Sequence, residues 1–463
     1  MRRSVVRIQE IKLNKFKNVK QGTISFNSYN NIKNKVFHND TDIMGIYGQN
    51  GSGKTAVVDS LGILKDMVSG VSINNSVKNL ILHDSNECVL EYVFMVEIEY
   101  DKFLVYYSFE ISVNNENSID ISKESISYSK LVDDKWKNKI KIIDYDIEFG
   151  MQTFRPKSKY DEVINCNKEN IINLGVAKAL SKKERKSFIF SEDSLKIFRS
   201  SFIGDNLLII DSLIYFIRLN LFVIKNEYLG AINTNQIMPF SFRIESDEEV
   251  STGEIGIKLF DVSVIDKAKF NVLNKIINQI NIVVNAIIPN LRIDIKNYGD
   301  QLLEDGVEGI KIELLSVRDK NKVPLKYESD GIKKIVSILS ALIAMYNNRT
   351  ICVVVDELDA GVFEYLLGEI LEVIQENAKG QLIFTSHNLR ALEKLNKECI
   401  VFTTTNPLNR YIKLANVKNN NNLRDFYLRG ILLGGQKEDI YEETNKFEIS
   451  YAFKKAGRKI NEI

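Results

Sequence analysis

The segment Gly48-Gln49-Asn50-Gly51-Ser52-Gly53-Lys54-Thr55 constrains this chain more than any other. It fits GxxxxGK[ST] and lies between an apolar, strand-like run at 43–47 and a helical pattern at 56–68, the strand–loop–helix context the motif requires. Its glycines let successive backbone N–H groups turn inward around phosphate oxygens, and the helix start adds the positive end of its dipole. Gly48, Asn50, Gly51, Ser52, Gly53 and Ala56 are therefore expected to line a phosphate cradle. Lys54 is expected to reach the β- and γ-phosphates, and Thr55 to hold Mg2+.

A nucleotide site needs a second metal ligand and a group that activates water. Val353-Val354-Val355-Asp356-Glu357 supplies both at the end of a continuous apolar, β-branched run, 350–355, the signature of a strand buried on both faces of a parallel sheet. Ligands bind at the carboxyl ends of such strands. Asp356 is the expected Mg2+ ligand and Glu357 the expected general base. His387 follows the next strand, 381–385, and is placed to hydrogen-bond the γ-phosphate. Glu328-Ser329-Asp330-Gly331 opens a helix expected over 330–346, where Ser329 and Gly331 form an anion-binding Ser-x-Gly start. Plainer readings stay open at this point: Glu357 as a structural acid, His387 as a polar strand end, Ser329 as a helix cap.

The rest of the chain sets these motifs in order. Alternating patterns at 5–13 and 23–26 read as short strands, and those at 88–100, 103–113 and 118–129 as an antiparallel meander. Long apolar-periodic helices are expected at 195–226 and at 268–288, the second ended by Pro289. Strands return at 291–295 and 310–315, followed by the Ser-x-Gly helix, the Asp356 strand, a helix at 362–377 and the His387 strand. Strands alternating with helices imply an α/β core. Residues 207–224 are apolar enough to raise a membrane reading, but Asp211 and Arg218 make a buried helix the expectation.

Lys+Arg 62 against Asp+Glu 61 gives a net charge of +1, so no overall basic excess marks a dedicated nucleic-acid binder. Local clusters exist at Lys182, Lys183, Arg185, Lys186 and at Lys454, Lys455, Arg458, Lys459, where solvated surface is the default and DNA-backbone contact the alternative. Cys88, Cys166, Cys352 and Cys399 are far apart without a CxxC pair, and the N-terminus lacks an apolar signal core. An intracellular, cytoplasmic protein without a zinc site is expected.

The motif order, P-loop, long insert, Ser-x-Gly helix, Asp-Glu strand, His strand, resembles the ABC-type ATPases of the SMC/OLD branch of AAA family ATPases. The opening LNKFKNVKQGTISF before the loop is similar to that family's first lobe. The resemblance covers roughly residues 1–130 and 310–435. It implies an α/β ABC-type P-loop ATPase head, a mixed sheet core plus an antiparallel β lobe, with a helical insertion. The expected division is 1–145 and 301–463 as ATPase lobes and 146–300 as a mainly helical insertion. It also implies two heads closing face to face, with ATP on one P-loop capped in trans by Ser329 and Gly331 of the other, and Asp359 near the seam. The signature is ESDGIKK rather than LSGGQ, which speaks against a transporter subunit, and no Q-loop glutamine can be placed. The near-match Leu432-Leu433-Gly434-Gly435-Gln436 falls after Asp356 and His387, in the wrong chain order, and reads as a loop.

The insert is too short and lacks the heptads of an SMC coiled coil, and fewer than 80 residues follow His387, too few for the TOPRIM nuclease domain of OLD proteins. What remains is similar to the stand-alone ATPases of bacterial anti-phage systems, such as the ATPase subunit of PARIS. That likeness implies a homo-oligomer using ATP and Mg2+, which restrains or activates a separate effector encoded nearby, for instance a nuclease, without a membrane. A DNA-processing ATPase and a non-hydrolysing ATP-gated scaffold are the alternatives.

Overall fold

The computed structural model describes residues 4–26, 42–245, 250–303, 306–413, 423–433, 438–442 and 444–460. Of Leu432 to Gln436, read above as a loop, Leu432 and Leu433 instead end the helix Leu423–Leu433, and residues 434–436 lie outside the described residues. The architecture is α/β, as expected. Six strands form the core sheet in the order Leu221–Ile224, Cys352–Val355, Gln381–Thr385, Asp42–Tyr47, Ile400–Thr403, Tyr411–Ile412. The first five run parallel and the last is antiparallel.

The period of two along these strands decides which helix each face receives. Met44, Ile46, Cys352, Val354 and Ile383 share one core with Val57, Leu61 and Leu64 of the P-loop helix Lys54–Ser69. Ile43, Tyr47, Val353, Val355, Leu382 and Phe384 share the other with Ile338, Ala341 and Met345 of the signature helix Asp330–Asn347 and with Leu367 and Leu371 of Glu364–Asn377. All four residues of Cys352–Val355 are fully buried. The signature helix has a second apolar face, where Ile335, Val336 and Leu339 join Leu273, Ile276 and Ile280 of the helix Lys267–Ile287. That helix starts on an Asp266 cap, whose Oδ1 accepts from the Lys269 N–H at 2.7 Å.

The expected meander is present and longer, an antiparallel sheet running from Val19–Ser25 through Ser4–Phe16, Glu87–Ile98, Asp101–Val113 and Ile119–Val132 to Ile140–Asp146 and Phe154–Arg155. Glu99 at φ 55° and Asn117 at φ 58° turn two of its hairpins.

The expectation of one helix over 195–226 is corrected. The chain forms Glu192–Ser201 and Asp205–Leu219, broken at Gly204 (φ 62°, ψ −139°), and then the strand Leu221–Ile224. A four-residue apolar run next to a helix carries no periodicity that separates the two states. Its consequence is large: Leu221–Ile224 pairs in parallel with Cys352–Val355, so the middle of the chain supplies the edge of the core sheet. Residues 146–300 also hold the hairpin Ile237–Glu245/Val250–Lys258 and the strand Ser263–Asp266, and are less helical than the pattern suggested. Apolar residues of Asp205–Leu219 are largely buried in the protein core, and among the described residues no helix is long and apolar enough to cross a membrane.

The antiparallel sheet is joined to the segment after Glu184 by one buried carboxylate. Glu124, 1% exposed, accepts from the Tyr107 hydroxyl at 2.7 Å, the Ser187 hydroxyl and the Ile189 N–H at 3.1 Å. Burial raises its pKa, against the pull of those three donors. Glu124→Ala strands all three, so it should cost about 1–3 kcal/mol, read as a lower urea midpoint with an unchanged m-value. Glu124→Gln, which keeps an acceptor, should lose less; equal midpoints for all three proteins would refute this role.

Candidate functional site

The loop between Asp42–Tyr47 and Lys54–Ser69 closes tightly because its glycines stand where a Cβ would clash or where the backbone turns left-handed. A Cβ on Gly48 would lie 1.7 Å from Thr403 Oγ1. Gly51 (φ 75°) and Gly53 (φ 101°) hold left-handed conformations. Ser52 Oγ donates to the Gln49 carbonyl at 2.7 Å and lies 2.5 Å from Thr403 Oγ1. The Tyr411 hydroxyl donates to the Gly53 carbonyl at 2.7 Å, and the Asn18 amide donates to the Gly51 carbonyl. Asn50 and Gly51 are exposed at the rim, while Ala56 is buried under it.

Lys54 is 7% exposed. Its Nζ donates to the Gly48 and Gln49 carbonyls, both at 2.9 Å. Burial lowers its pKa, partly offset by the charges of Asp356, Glu357 and Asp359. The helix that follows has no side-chain cap at Gly53 and no acidic residue in its first turn, so its N-terminal dipole and N–H groups suit an anionic ligand.

The Asp356 strand ends beside this loop. Thr55 Oγ1 donates to Asp356 Oδ1 at 3.4 Å. The Thr385 hydroxyl donates to the same oxygen at 2.6 Å and accepts from the Glu357 N–H at 2.7 Å. One hydroxyl thus fixes both residues of the Asp-Glu pair. Glu357 has φ 48°, a left-handed conformation that strains a residue with a side chain. The His387 N–H donates to Asp359 Oδ2 at 3.0 Å. The other Asp359 oxygen, Oδ1, is buried and has no hydrogen-bond partner among the described residues. Lys54, Thr55, Asp356, Glu357 and His387 are therefore gathered at one end of one sheet.

Ser329 and Gly331 are elsewhere in this arrangement. Ser329 is exposed and caps its helix, Oγ accepting from the Ile332 N–H at 3.4 Å. Gly331 is buried against the backbone after Asp359; a Cβ there would lie 1.9 Å from the Gly361 carbonyl oxygen. Among the described residues, no hydrogen bond joins either residue to the chain's own P-loop.

The residues fit a nucleoside triphosphate with Mg2+. The loop offers the Lys54 ammonium and an uncapped helix start, while Thr55 and Asp356 offer one hydroxyl and one carboxylate. Mg2+ commonly takes one or two protein oxygens and completes its shell with phosphate and water. It needs no larger acidic cluster, and among the described residues no group of three or more His, Cys, Asp or Glu is arranged as a metal site.

Sequence reasoning missed Thr385, Thr403, Tyr411 and Lys334. Lys334 left a readable signal: it stands in helical register with Ile338, Ala341 and Met345, which face the sheet. The strand Leu221–Ile224 was missed too; its end is joined to the site, the Asp356 N–H donating to the Ile224 carbonyl at 3.0 Å.

A family model described as "AAA domain, putative AbiEii toxin, Type IV TA system" matches residues 43–393, well over half of the chain. The chain belongs to this family. No curated protein matches the sequence. Among solved structures, an Smc head bound to the C-winged helix domain of ScpA is 13% identical, with 88% of this chain and 97% of that one covered at a TM-score of 0.40. The SMC head domain from Thermotoga maritima is 13% identical over 88% of this chain and 99% of that one at 0.36. The recombination mediator RecF bound to ATP is 12% identical over 83% and 92% at 0.35. These scores are low, and the reading of the site rests on its own geometry.

Removing the Lys54 ammonium deletes a charged donor from the cradle, so Lys54→Ala should weaken ATP binding by about 1.5–3 kcal/mol, roughly 10- to 100-fold, in a calorimetric titration. Retained affinity would sink the assignment. Burial and the Lys54 charge lower the His387 pKa below 6.5, against the pull of Asp359, Glu357 and Asp356. The unfolded chain then binds that proton first as pH falls, so the stability linked to His387 is whole above 6.5 and is lost through the lower, folded pKa. His387→Gln should flatten the acid side of the stability–pH curve in urea unfolding; an unchanged slope would remove His387 as its source.

Proposed function

We propose that this AAA-family ATPase is a nucleotide-driven switch in which two copies sandwich ATP, acting in the cytoplasm as the sensor or regulator of a separate toxic effector in anti-phage defence. The observation that carries the ATPase part is the Thr385 hydroxyl, which holds Asp356 and the Glu357 backbone together next to Thr55. Bound ATP would supply the scissile phosphoanhydride, and Mg2+ would offset its charge. Gly48 to Thr55 and Ala56 would cradle the phosphates, with Lys54 as the charged donor and Thr55 and Asp356 as the metal's protein ligands. Glu357 would orient and deprotonate the attacking water, and His387 would donate to the terminal phosphate. Ser329 and Gly331 would serve the nucleotide of the opposite copy, a reading supported by their place on a separate helix whose start is exposed. Slow, regulatory turnover suits such a switch.

The defence role draws support from the toxin–antitoxin wording of the family description. A second reading, a DNA-processing ATPase, is favoured by one observation: Lys182, Lys183, Lys454 and Lys455 are all exposed. Hydrolysis stimulated by DNA, with binding that falls steeply as salt rises, would select it. A non-hydrolysing scaffold is selected if wild-type turnover is negligible and Glu357→Gln leaves assembly unchanged.

Glu357→Gln should lower turnover by about 100-fold or more while ATP converts the monomer to a dimer or higher assembly in light scattering. Adding Ser329→Arg should leave ATP affinity intact and abolish that assembly. A protein that stays monomeric with and without ATP in both backgrounds would refute the sandwich, and failure to copurify with any neighbouring-gene product would count against the effector.

A further inference from the structure

Lys334 is 1% exposed and stands on the sheet-facing side of the signature helix, where an apolar side chain would cost nothing to bury. Its Nζ donates to the main-chain carbonyl of Glu357. The carboxylates of Asp359, Glu357 and Asp356 surround it electrostatically, and burial still pushes its pKa down to about 8. Desolvation therefore outweighs the attraction of three acids. A buried ammonium kept under that penalty has a task at the atom it touches.

That atom belongs to the strained residue of the site. Glu357, at φ 48°, is held from three directions. Its N–H donates to Thr385 at 2.7 Å, while its carbonyl accepts from the Ala360 N–H at 2.9 Å and from Lys334. Two of these restraints come from the sheet and its own turn. The third comes from the signature helix. The same helix meets the same turn a second time, where Gly331 packs on Gly361 so closely that a Cβ would lie 1.9 Å from the carbonyl oxygen. Ser329 and Gly331, which would engage a second copy's nucleotide, thus lie within one and a half turns of a side chain bonded to this copy's own Glu357.

We propose that Lys334 is a positioning residue that couples the two sites: when the signature helix of one copy seats on its partner's nucleotide, Lys334 sets the backbone of that copy's own Glu357 and so licenses hydrolysis at its own P-loop. The inference rests on the two-copy reading above. It adds a route within one chain by which engagement of the partner governs that chain's general base, a coupling carried by one hydrogen bond and one glycine contact.

The test uses full-length protein with Lys334→Met, which keeps length and removes the donor, and Lys334→Arg, which keeps donor and charge. ATP affinity is read by titration, assembly by light scattering in the Glu357→Gln background, and turnover per chain as protein concentration rises. For Lys334→Met we expect ATP affinity and assembly within about twofold of wild type but kcat lower by about tenfold or more, with little change in KM. Turnover per chain should no longer rise as the dimer forms, and Lys334→Arg should recover most of it. A Lys334→Met protein that assembles and turns over like wild type overturns the proposal. So does parallel loss of ATP affinity, assembly and turnover, which marks a purely structural lysine. If Lys334→Met lacks a cooperative unfolding transition, Lys334→Gln decides by the same criteria. Wild-type turnover independent of concentration, with no ATP-dependent assembly in Glu357→Gln, overturns the two-copy reading and this coupling together. Normal wild-type assembly with an unaffected Lys334→Met overturns the coupling alone.

Discussion

Burial of the Cys352–Val355 strand on both faces is the constraint from which the site follows. With helices covering each side, no polar side chain can be accommodated along those four residues without a partner. The first polar residues, Asp356 and Glu357, therefore emerge together at the strand's carboxyl end. Parallel neighbours bring Thr385 and the P-loop to the same end, because parallel strands all finish on one edge. Thr385 then meets both partners with one hydroxyl, donating to Asp356 and accepting from the Glu357 N–H. Chemistry is concentrated there because the sheet leaves nowhere else for these groups to go.

The P-loop is held from outside as well as by its own glycines. Thr403, Tyr411 and Asn18 come from three separate elements, and each touches a different part of the loop. The segment after the last sheet strand adds a fourth hold, the Glu442 N–H donating to Gln49 Oε1 at 3.0 Å. Lys54 is thereby presented on a fixed frame, its buried ammonium donating to two loop carbonyls. Preorganisation of this kind lowers the reorganisation needed when an anion arrives.

How much of this could be read from the sequence depended on whether a feature was local. The glycine loop, the apolar run before Asp356, the short strand before His387 and the Pro289 stop are local patterns, and each element stands close to where it was expected. Leu221–Ile224 was not legible, because a four-residue apolar stretch following an apolar helix has the same composition in either state; only pairing with Cys352–Val355 makes it a strand. Thr385 looked like an ordinary strand residue, since its two bonds span 28 and 29 positions. Lys334 was the reverse case. Its register with Ile338, Ala341 and Met345 marked it as buried, but nothing in the sequence named the Glu357 carbonyl as the reason.

The misread strand changes how the middle of the chain should be viewed. A true insertion would hang from the core by its two ends, and motion in it would reach the site only through those hinges. Here the chain enters the core sheet at Leu221–Ile224, and the Ile224 carbonyl accepts from the Asp356 N–H, the backbone of the expected metal ligand. The helix Asp205–Leu219 leads into that strand while packing against the P-loop helix, and Lys65 of the P-loop helix donates to the Leu221 carbonyl at 2.8 Å. Displacement of the central helices would thus press on the Asp356 backbone and on the P-loop helix at once. Closely packed interiors transmit such strain rather than absorb it. The middle of the chain thus supplies both a strand of the core sheet and a helix packed on the P-loop helix.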